Sequence, residues 1–215
     1  MDETQWLQPV VDRYKQYFGD TANLIFDVGS RDGDDGQFLR EQLNGETVYA
    51  IDANPRAIKT IKHRHKDFNV IYTAVSDYDG TTEFVQILSD DKDHAGSSSI
   101  KNFSFFEGAT YRTLEVPVAR MDTLLHEHGL QDQILDVVKV DIEGYSYEFI
   151  VGLGDLIDNV KLFHLETEMF WRHDGHKDNN KVIDLMTSKG FLLCETIYQW
   201  EGIQDQIWIN SRFIR

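Results

Sequence analysis

The chain has 215 residues but one cysteine, three prolines and no apolar run near the length of a membrane span. A lone Cys194 excludes an internal disulfide. A spanning helix needs about 18 consecutive apolar residues, and no segment approaches that. Basic residues are also scarce: 21 Lys and Arg face 37 Asp and Glu, for a net charge of −16. A surface so negative repels nucleic-acid phosphates, so no nucleic-acid partner is expected, and a neutral or cationic acceptor fits better. The stretch from Lys59 to Lys66 is the local basic exception. The opening Met1-Asp2-Glu3-Thr4 lacks the basic residues of a secretory leader, and with the single cysteine this points to the cytoplasm.

What is present describes a folded enzyme-sized unit. Hydrophobic residues make up 41% and aromatics 12%, too many for a disordered chain. There is no internal repeat and no low-complexity tract, so residues 1–215 are expected to form one domain. Within it, residues 1–20 read as a leading helix, 24–168 as a core and 178–215 as a C-terminal helix and hairpin.

Apolar β-rich runs alternate with helix-like segments, the pattern of βαβ units. Strands are expected at Leu24–Val28, Thr47–Ile51, Val70–Thr73, Thr81–Leu88, Leu114–Val118, Val137–Asp141 and Lys161–Leu165. Helices are expected at Trp6–Phe18, through Phe38–Leu43, at Pro55–His65, Met121–His128, Tyr145–Val151 and Asn179–Lys189. Two closing β-rich runs, Phe191–Tyr198 and Gln206–Asn210, leave no room for a crossover and must pair antiparallel. The expected fold is α/β: a Rossmann-like class I methyltransferase sheet, mostly parallel, ending in an antiparallel hairpin, with helices on both faces.

Three polar groups close three of the strands. Asp27-Val28-Gly29-Ser30-Arg31-Asp32-Gly33 follows the first. Gly29 permits a sharp turn, and Gly33 a close approach where a helix begins. Such a loop offers backbone N–H groups to a carboxylate or phosphate, and Asp27 is placed to meet a cationic amine directly or through water. Arg31 stands where a dinucleotide fingerprint needs its middle glycine, which argues against NAD. Asp52, followed by Ala53, Asn54 and Pro55, ends the second strand, where a carboxylate accepts hydrogen bonds from ribose hydroxyls. Ala74-Val75-Ser76-Asp77 reads as the end of the third, with Ser76 and Asp77 near an adenine. Together these suit S-adenosylmethionine, whose ends are an adenosine and an amino acid.

At these residues the chain resembles the FkbM family of S-adenosylmethionine-dependent O-methyltransferases. The resemblance runs through Phe26–Gly33, Ala53-Asn54-Pro55, Ala74–Gly80, Ser97–Ile100, Val116-Pro117-Val118 and Met121–Leu124. Its most specific piece is Val138-Lys139-Val140-Asp141-Ile142-Glu143-Gly144-Tyr145. The resemblance implies methyl transfer to a hydroxyl, commonly on a sugar, glycan or small natural product. By position it makes Gly29, Asp52 and Ser76 cofactor contacts, and Asp141 and Glu143 active-site acids. Ser30-Arg31-Asp32 departs from the smaller residues of many members.

Methyl transfer requires an oxygen aligned with a sulfonium-bound carbon and a group to take its proton. Asp141, Glu143, His164, Glu166 and Glu168 are candidates, with Asp141 also near the cofactor. Lys139, two residues before Asp141, shares its strand face and can pair with it. His94, in the polar Asp90–Ser99 loop, is a second candidate base. Asp141, Glu143 and Glu166 offer an oxygen site suited to magnesium, and Trp171 to Lys177 reads as an acceptor-side loop. A nicotinamide-dependent oxidoreductase and a non-catalytic S-adenosylmethionine-binding module remain the alternatives.

Overall fold

The computed structural model describes residues 5–88, 98, 110–169, 177–200 and 202–214. The chain runs α1 (Gln8–Phe18), β1 (Leu24–Val28), α2 (Asp34–Gln42), β2 (Thr47–Asp52), α3 (Pro55–Arg64), β3 (Asn69–Tyr72), β4 (Ala74–Ser76), β5 (Gly80–Ile87) and β6 (Tyr111–Arg120). It continues as α4 (Met121–Glu127), β7 (Leu135–Val140), α5 (Ser146–Gly152), β8 (Val160–Glu168), α6 (Asn179–Ser188), β9 (Phe191–Trp200) and β10 (Ile203–Asn210).

Side-chain alternation along the strands sets the layers. Ile25 of β1 packs with Val48, Ala50, Val137 and Leu162, under Val10, Val11 and Tyr14 of α1, Leu39 of α2 and Ile61 of α3. Its neighbours Phe26 and Val28 turn the other way, toward Val138, Val140 and Phe163, under Leu124 of α4, Phe149 of α5 and Met186 of α6. With both faces covered, β1 and β7 are buried along their whole length. Each such Ile or Phe contributes about 1.5–3 kcal/mol through burial.

The main sheet has seven strands in the order β3-β2-β1-β7-β8-β10-β9. Strands β3 to β8 in that row are parallel, while β10 runs antiparallel to both β8 and β9. The order reverses direction at β1, so the tips of β1, β2 and β7 open a crevice of the kind where doubly wound sheets bind ligands. Pro55 begins α3, and Asn54 caps it by accepting from the Arg56 N–H at 3.0 Å.

One expectation needs correction. Ala74-Val75-Ser76 does not prolong the third strand. β3 ends at Tyr72, and β4 belongs to a separate three-stranded sheet, β4-β6-β5. Thr73 makes the transfer: its N–H still donates to Asp52 at 3.1 Å, while its hydroxyl donates to the Pro117 carbonyl at 3.2 Å. β4 then runs parallel to β6, with Ala74 opposite Val118. The small sheet has its own core of Ala74, Phe84, Val116 and Val118.

Candidate active site

The bend after β1 is built over a buried ion network. Asp27 is wholly buried, and its Oδ2 accepts from the Ser30 hydroxyl at 2.6 Å and the Gly36 N–H at 3.1 Å. Lys139, also buried, sends its ammonium to within 3.4 Å of Asp27, 3.0 Å of Asp35 and 3.4 Å of Asp141. Burial alone would lower the Lys139 pKa, but the surrounding Asp35, Asp27 and Asp141 hold it well above the ordinary lysine value. Burial raises Asp27, against the opposing pull of Lys139, Ser30 and Gly36. Asp27 therefore faces α2 beneath the loop, and the expectation that it meets a ligand amine directly is revised.

Gly29 and Gly33 are required for internal reasons. Gly29 has φ 75°, and a Cβ there would lie 1.7 Å from the Asp141 carbonyl oxygen. This close passage, fixed by the Asp141 N–H donating to the Val28 carbonyl at 2.9 Å, locks the tips of β1 and β7 together. Gly33 has φ 87°, and a Cβ there would meet the His65 ring at 2.5 Å.

Above the bend lies a half-open cleft of about 620 Å³, counted to its solvent mouth. Its walls include Gly29 and Arg31 from the bend, Asp52, Ala53 and Asn54 from the tip of β2, and Asp141, Ile142 and Tyr145 after β7. Thr73, Ala74, Val75, Phe84 and Ser98 close the far side. Asp52 Oδ1 accepts from the Asn54 N–H at 2.7 Å, and Oδ2 from the Arg31 N–H at 2.8 Å. Each oxygen keeps a lone pair for a hydroxyl donor. Burial, with a smaller contribution from Asp27, pushes the Asp52 pKa up to about 6, although the Asn54 and Arg31 N–H groups and Lys139 pull it back. An ionisable carboxylate beside an apolar wall that includes Phe84 suits the adenosine of S-adenosylmethionine. The residues fit that cofactor.

Just past β7 the chain turns through Glu143 at φ 47° and Gly144 at φ 82°. This turn brings carboxylate oxygens of Asp141, Glu143 and Glu166 within 4.8 Å of one another. Glu166 is raised well above the usual carboxylate range, first by burial and then by Asp141, Glu143, Asp205 and Glu168. His164 is buried one pleat away, 3.6 Å from Asp205 and 5.1 Å, ring to ring, from Trp6.

Of the residues singled out from the sequence, Gly29, Arg31, Asp52, Ala53, Asn54 and Asp141 meet in this cleft. Asp27, Ser30 and Gly33 lie beneath or behind the bend. Ser76 is buried against α5, where its carbonyl would lie 2.2 Å from a Cβ on Gly152, and Asp77 is exposed; neither lines the cleft. Glu143 and Glu166 gather beside Asp141. His94 and Trp171 fall outside the described residues. Phe84 and Thr73 are cleft residues that sequence reasoning does not single out. The signal for Phe84 was its period: Gln86, two residues on, shares its face and donates to Asn54 Oδ1 at 2.6 Å.

The sheet order, the terminal hairpin and the cleft at the β1 tip define a Rossmann-like class I methyltransferase. The chain matches the Methyltransferase FkbM domain over residues 27–193, belongs to that family, and is an S-adenosylmethionine-dependent methyltransferase. No protein of curated function matches it in sequence. Among solved structures, it is similar to magnesium protoporphyrin IX methyltransferase from Synechocystis PCC 6803 with bound S-adenosylmethionine. The identity there is 10% and the TM-score 0.54, over 97% of this chain and 79% of that one. It is also similar to the methyltransferase FkbM from Methylobacillus flagellatus KT, at 11% identity and TM-score 0.53, covering 91% of this chain but 50% of that one. An rRNA methylase from Streptococcus thermophilus matches at 11% identity and TM-score 0.53, over 98% and 99% of the two chains. At such identities the likeness speaks for the fold alone.

Proposed function

We propose that this methyltransferase acts on a hydroxyl of a sugar, glycan or small natural product. The adenosyl end of the cofactor lies between Asp52 and Phe84, and the acceptor enters at the Asp141 end. The observation that carries this reading is the placement of Asp52 and Asp141 on separate walls of one cleft, joined by the Gly29 bend.

The bound cofactor supplies an electrophilic methyl group on a sulfonium. The protein's part is to position and to handle a proton. Asp52 accepts the ribose hydroxyls and fixes the reach of the ligand along the cleft. Asp141, oriented by the Lys139 ammonium, accepts the hydroxyl proton of the acceptor as its oxygen is methylated. Burial and the neighbouring acids raise Glu166 well above the usual carboxylate range, which favours its neutral form beside Asp141. A divalent cation such as magnesium is the second reading of that group, favoured by the approach of three carboxylates within 4.8 Å.

The net charge of −16 weighs against a phosphate-rich acceptor. The free, partly buried Cys194 suits a reducing compartment such as the cytoplasm. The test is methyl transfer from labelled S-adenosylmethionine to a panel of sugars, glycans, hydroxylated natural products, RNA and protein, with chelator and with magnesium. Transfer to hydroxyl acceptors supports the proposal. Transfer confined to RNA or to nitrogen acceptors would overturn it, and loss of turnover on chelation would establish the second reading.

A further inference from the structure

The charges of this acidic chain are unevenly placed. Between Asp52 and Asp67 there is no acid, while Arg56, Lys59, Lys62, Arg64 and Lys66 all fall in that interval. Each of the five is exposed, as is His63. α3 turns Ala57, Ile58 and Ile61 inward, so its cations collect on the opposite face. Arg56, Lys59 and His63, with Lys62 beside them, recur every three or four residues as one stripe, with neighbouring Cβ atoms about 5–6 Å apart. Arg64 is committed to Asp32 at 3.4 Å and Asp34 at 2.6 Å. Among the described residues, Arg56, Lys59, Lys62 and Lys66 have no acidic partner.

Helix stability does not account for the stripe. A first turn favours acids and disfavours cations, yet this one holds Arg56 and no acid. Like charges three or four residues apart repel, as Arg56 and Lys59 do, and Lys59 and Lys62. The helix also flanks the cleft. Its cap Asn54 and its inward-facing Ala57 both line the cleft, and at its other end Arg64 reaches Asp32 and Asp34 beyond the Gly29 bend. A ligand held on the stripe therefore lies beside the site of methyl transfer.

The dimensions and chemistry of the stripe select among anionic partners. The net charge of −16 repels a polyanion at large, but at physiological salt a bound chain meets only the charges within about 8 Å. The stripe is about 15 Å long and about 10 Å wide, far less than the roughly 800 Å² that each partner of a stable protein complex covers. A bilayer or an acidic protein would press a broad anionic face against Asp34, Glu41 and Asp67 as well. Single-stranded nucleic acid has the right width, but its sites interleave cations with aromatic platforms. The exposed face of α3 carries no Phe, Tyr or Trp. What fits is a narrow chain with spaced anionic groups and no bases to stack.

We propose that the exposed face of α3 docks an acidic glycan, bearing carboxylate or sulfate groups, beside the methyl-transfer cleft. The inference narrows, and rests on, the reading of the acceptor as a glycan hydroxyl. The expectation of a neutral or cationic acceptor does not extend to this face.

Fluorescence anisotropy of labelled oligomers with the full chain tests it, with no methyl transfer required. The probes are an oligogalacturonate for carboxylate, a heparin oligosaccharide for sulfate, a neutral dextran oligosaccharide and a single-stranded oligo(U) RNA. Wild type should bind at least one acidic oligosaccharide more tightly than the dextran and the RNA, with affinity falling as salt rises. Lys59→Glu with Lys62→Glu should weaken that binding about tenfold or more, since two contacts become repulsive. Lys181→Glu with Lys189→Glu, the same charge change on and beside α6, should leave it within about twofold. Lys59→Gln with Lys62→Gln gives the same comparison, with about a threefold loss, should the Glu variant not fold. Failure to bind either acidic oligosaccharide, tighter binding of the RNA, or equal losses in the α3 and α6 variants would overturn the docking surface. Methyl transfer to neutral hydroxyls is untouched by any of these results. Conversely, failure of the whole hydroxyl panel would overturn the acceptor reading and leave a measured glycan affinity in place.

Discussion

Acidification should loosen the cofactor, and Asp52 is the group through which it acts. Its pKa stands near 6 in the ligand-free protein against an ordinary 3.8, chiefly because burial penalises the charged form. Ribose hydroxyls donate best to the ionised carboxylate, so binding must first draw off the proton wherever Asp52 holds one. Affinity for S-adenosylhomocysteine should level off above about pH 7 and be about tenfold weaker at about pH 5, with proton release on binding near pH 6. Ligand-free stability responds in the opposite sense. A raised carboxylate contributes fully below its unfolded value of 3.8, and that contribution disappears as the pH rises through about 6. The loss is at most about 3 kcal/mol, reduced by the solvent that reaches this partly exposed group. Asp52→Asn keeps the shape but removes the titration: its affinity should be about 10- to 100-fold weaker at neutral pH and flat below it. Titration calorimetry across the pH range measures both. A wild-type affinity that does not change between pH 5 and 7.5, or the same slope in the Asn variant, would refute the assignment.

Other residues give separate tests. Asp141→Asn should lower turnover by about 10²- to 10⁴-fold with cofactor affinity nearly unchanged, since a general base acts on the acceptor; equal losses in both would make Asp141 a binding residue. Gly29→Ala should cost about 3 kcal/mol or more, because its Cβ would lie 1.7 Å from the Asp141 carbonyl. A thermal melt within a degree or two of wild type would contradict the locked strand tips. Lys139→Met strands Asp27, Asp35 and Asp141 without their shared cation and should destabilise by about 3–5 kcal/mol, with partial recovery when Asp27→Asn is added. Chemical denaturation of the single and double variants checks this, and additive effects would show that the two residues are not coupled.

Much of the architecture was legible because its strands are buried on both faces. Leu24–Val28 and the run from Val137 are nearly pure apolar segments, and each is followed by residues that bend the chain. The short gap between the last two β-rich runs dictated the hairpin. The small second sheet was not legible. Ala74-Val75-Ser76 follows β3 after a single residue, and only its pairing with the distant Val118 reveals that it has changed sheets. The cleft acids divide in the same way. Asp52 and Asp141 end or follow apolar strands and reach the cleft, yet Asp27 sits in a similar local pattern and faces α2 instead. Which side α2 covers is a tertiary fact, as is the meeting of Asp27, Asp35 and Asp141 on one buried lysine. Nor does a glycine in the bend announce whether it makes room for a ligand or, as at Gly29, for a neighbouring strand's carbonyl.

A crystal structure of the protein with S-adenosylhomocysteine bound would show where the ligand sits. Both ribose hydroxyls are expected within hydrogen-bond distance of Asp52, the adenine against Phe84, and the sulfur directed toward the Asp141 end of the cleft. Ligand density elsewhere in the molecule, or a ribose that makes no contact with Asp52, would contradict it.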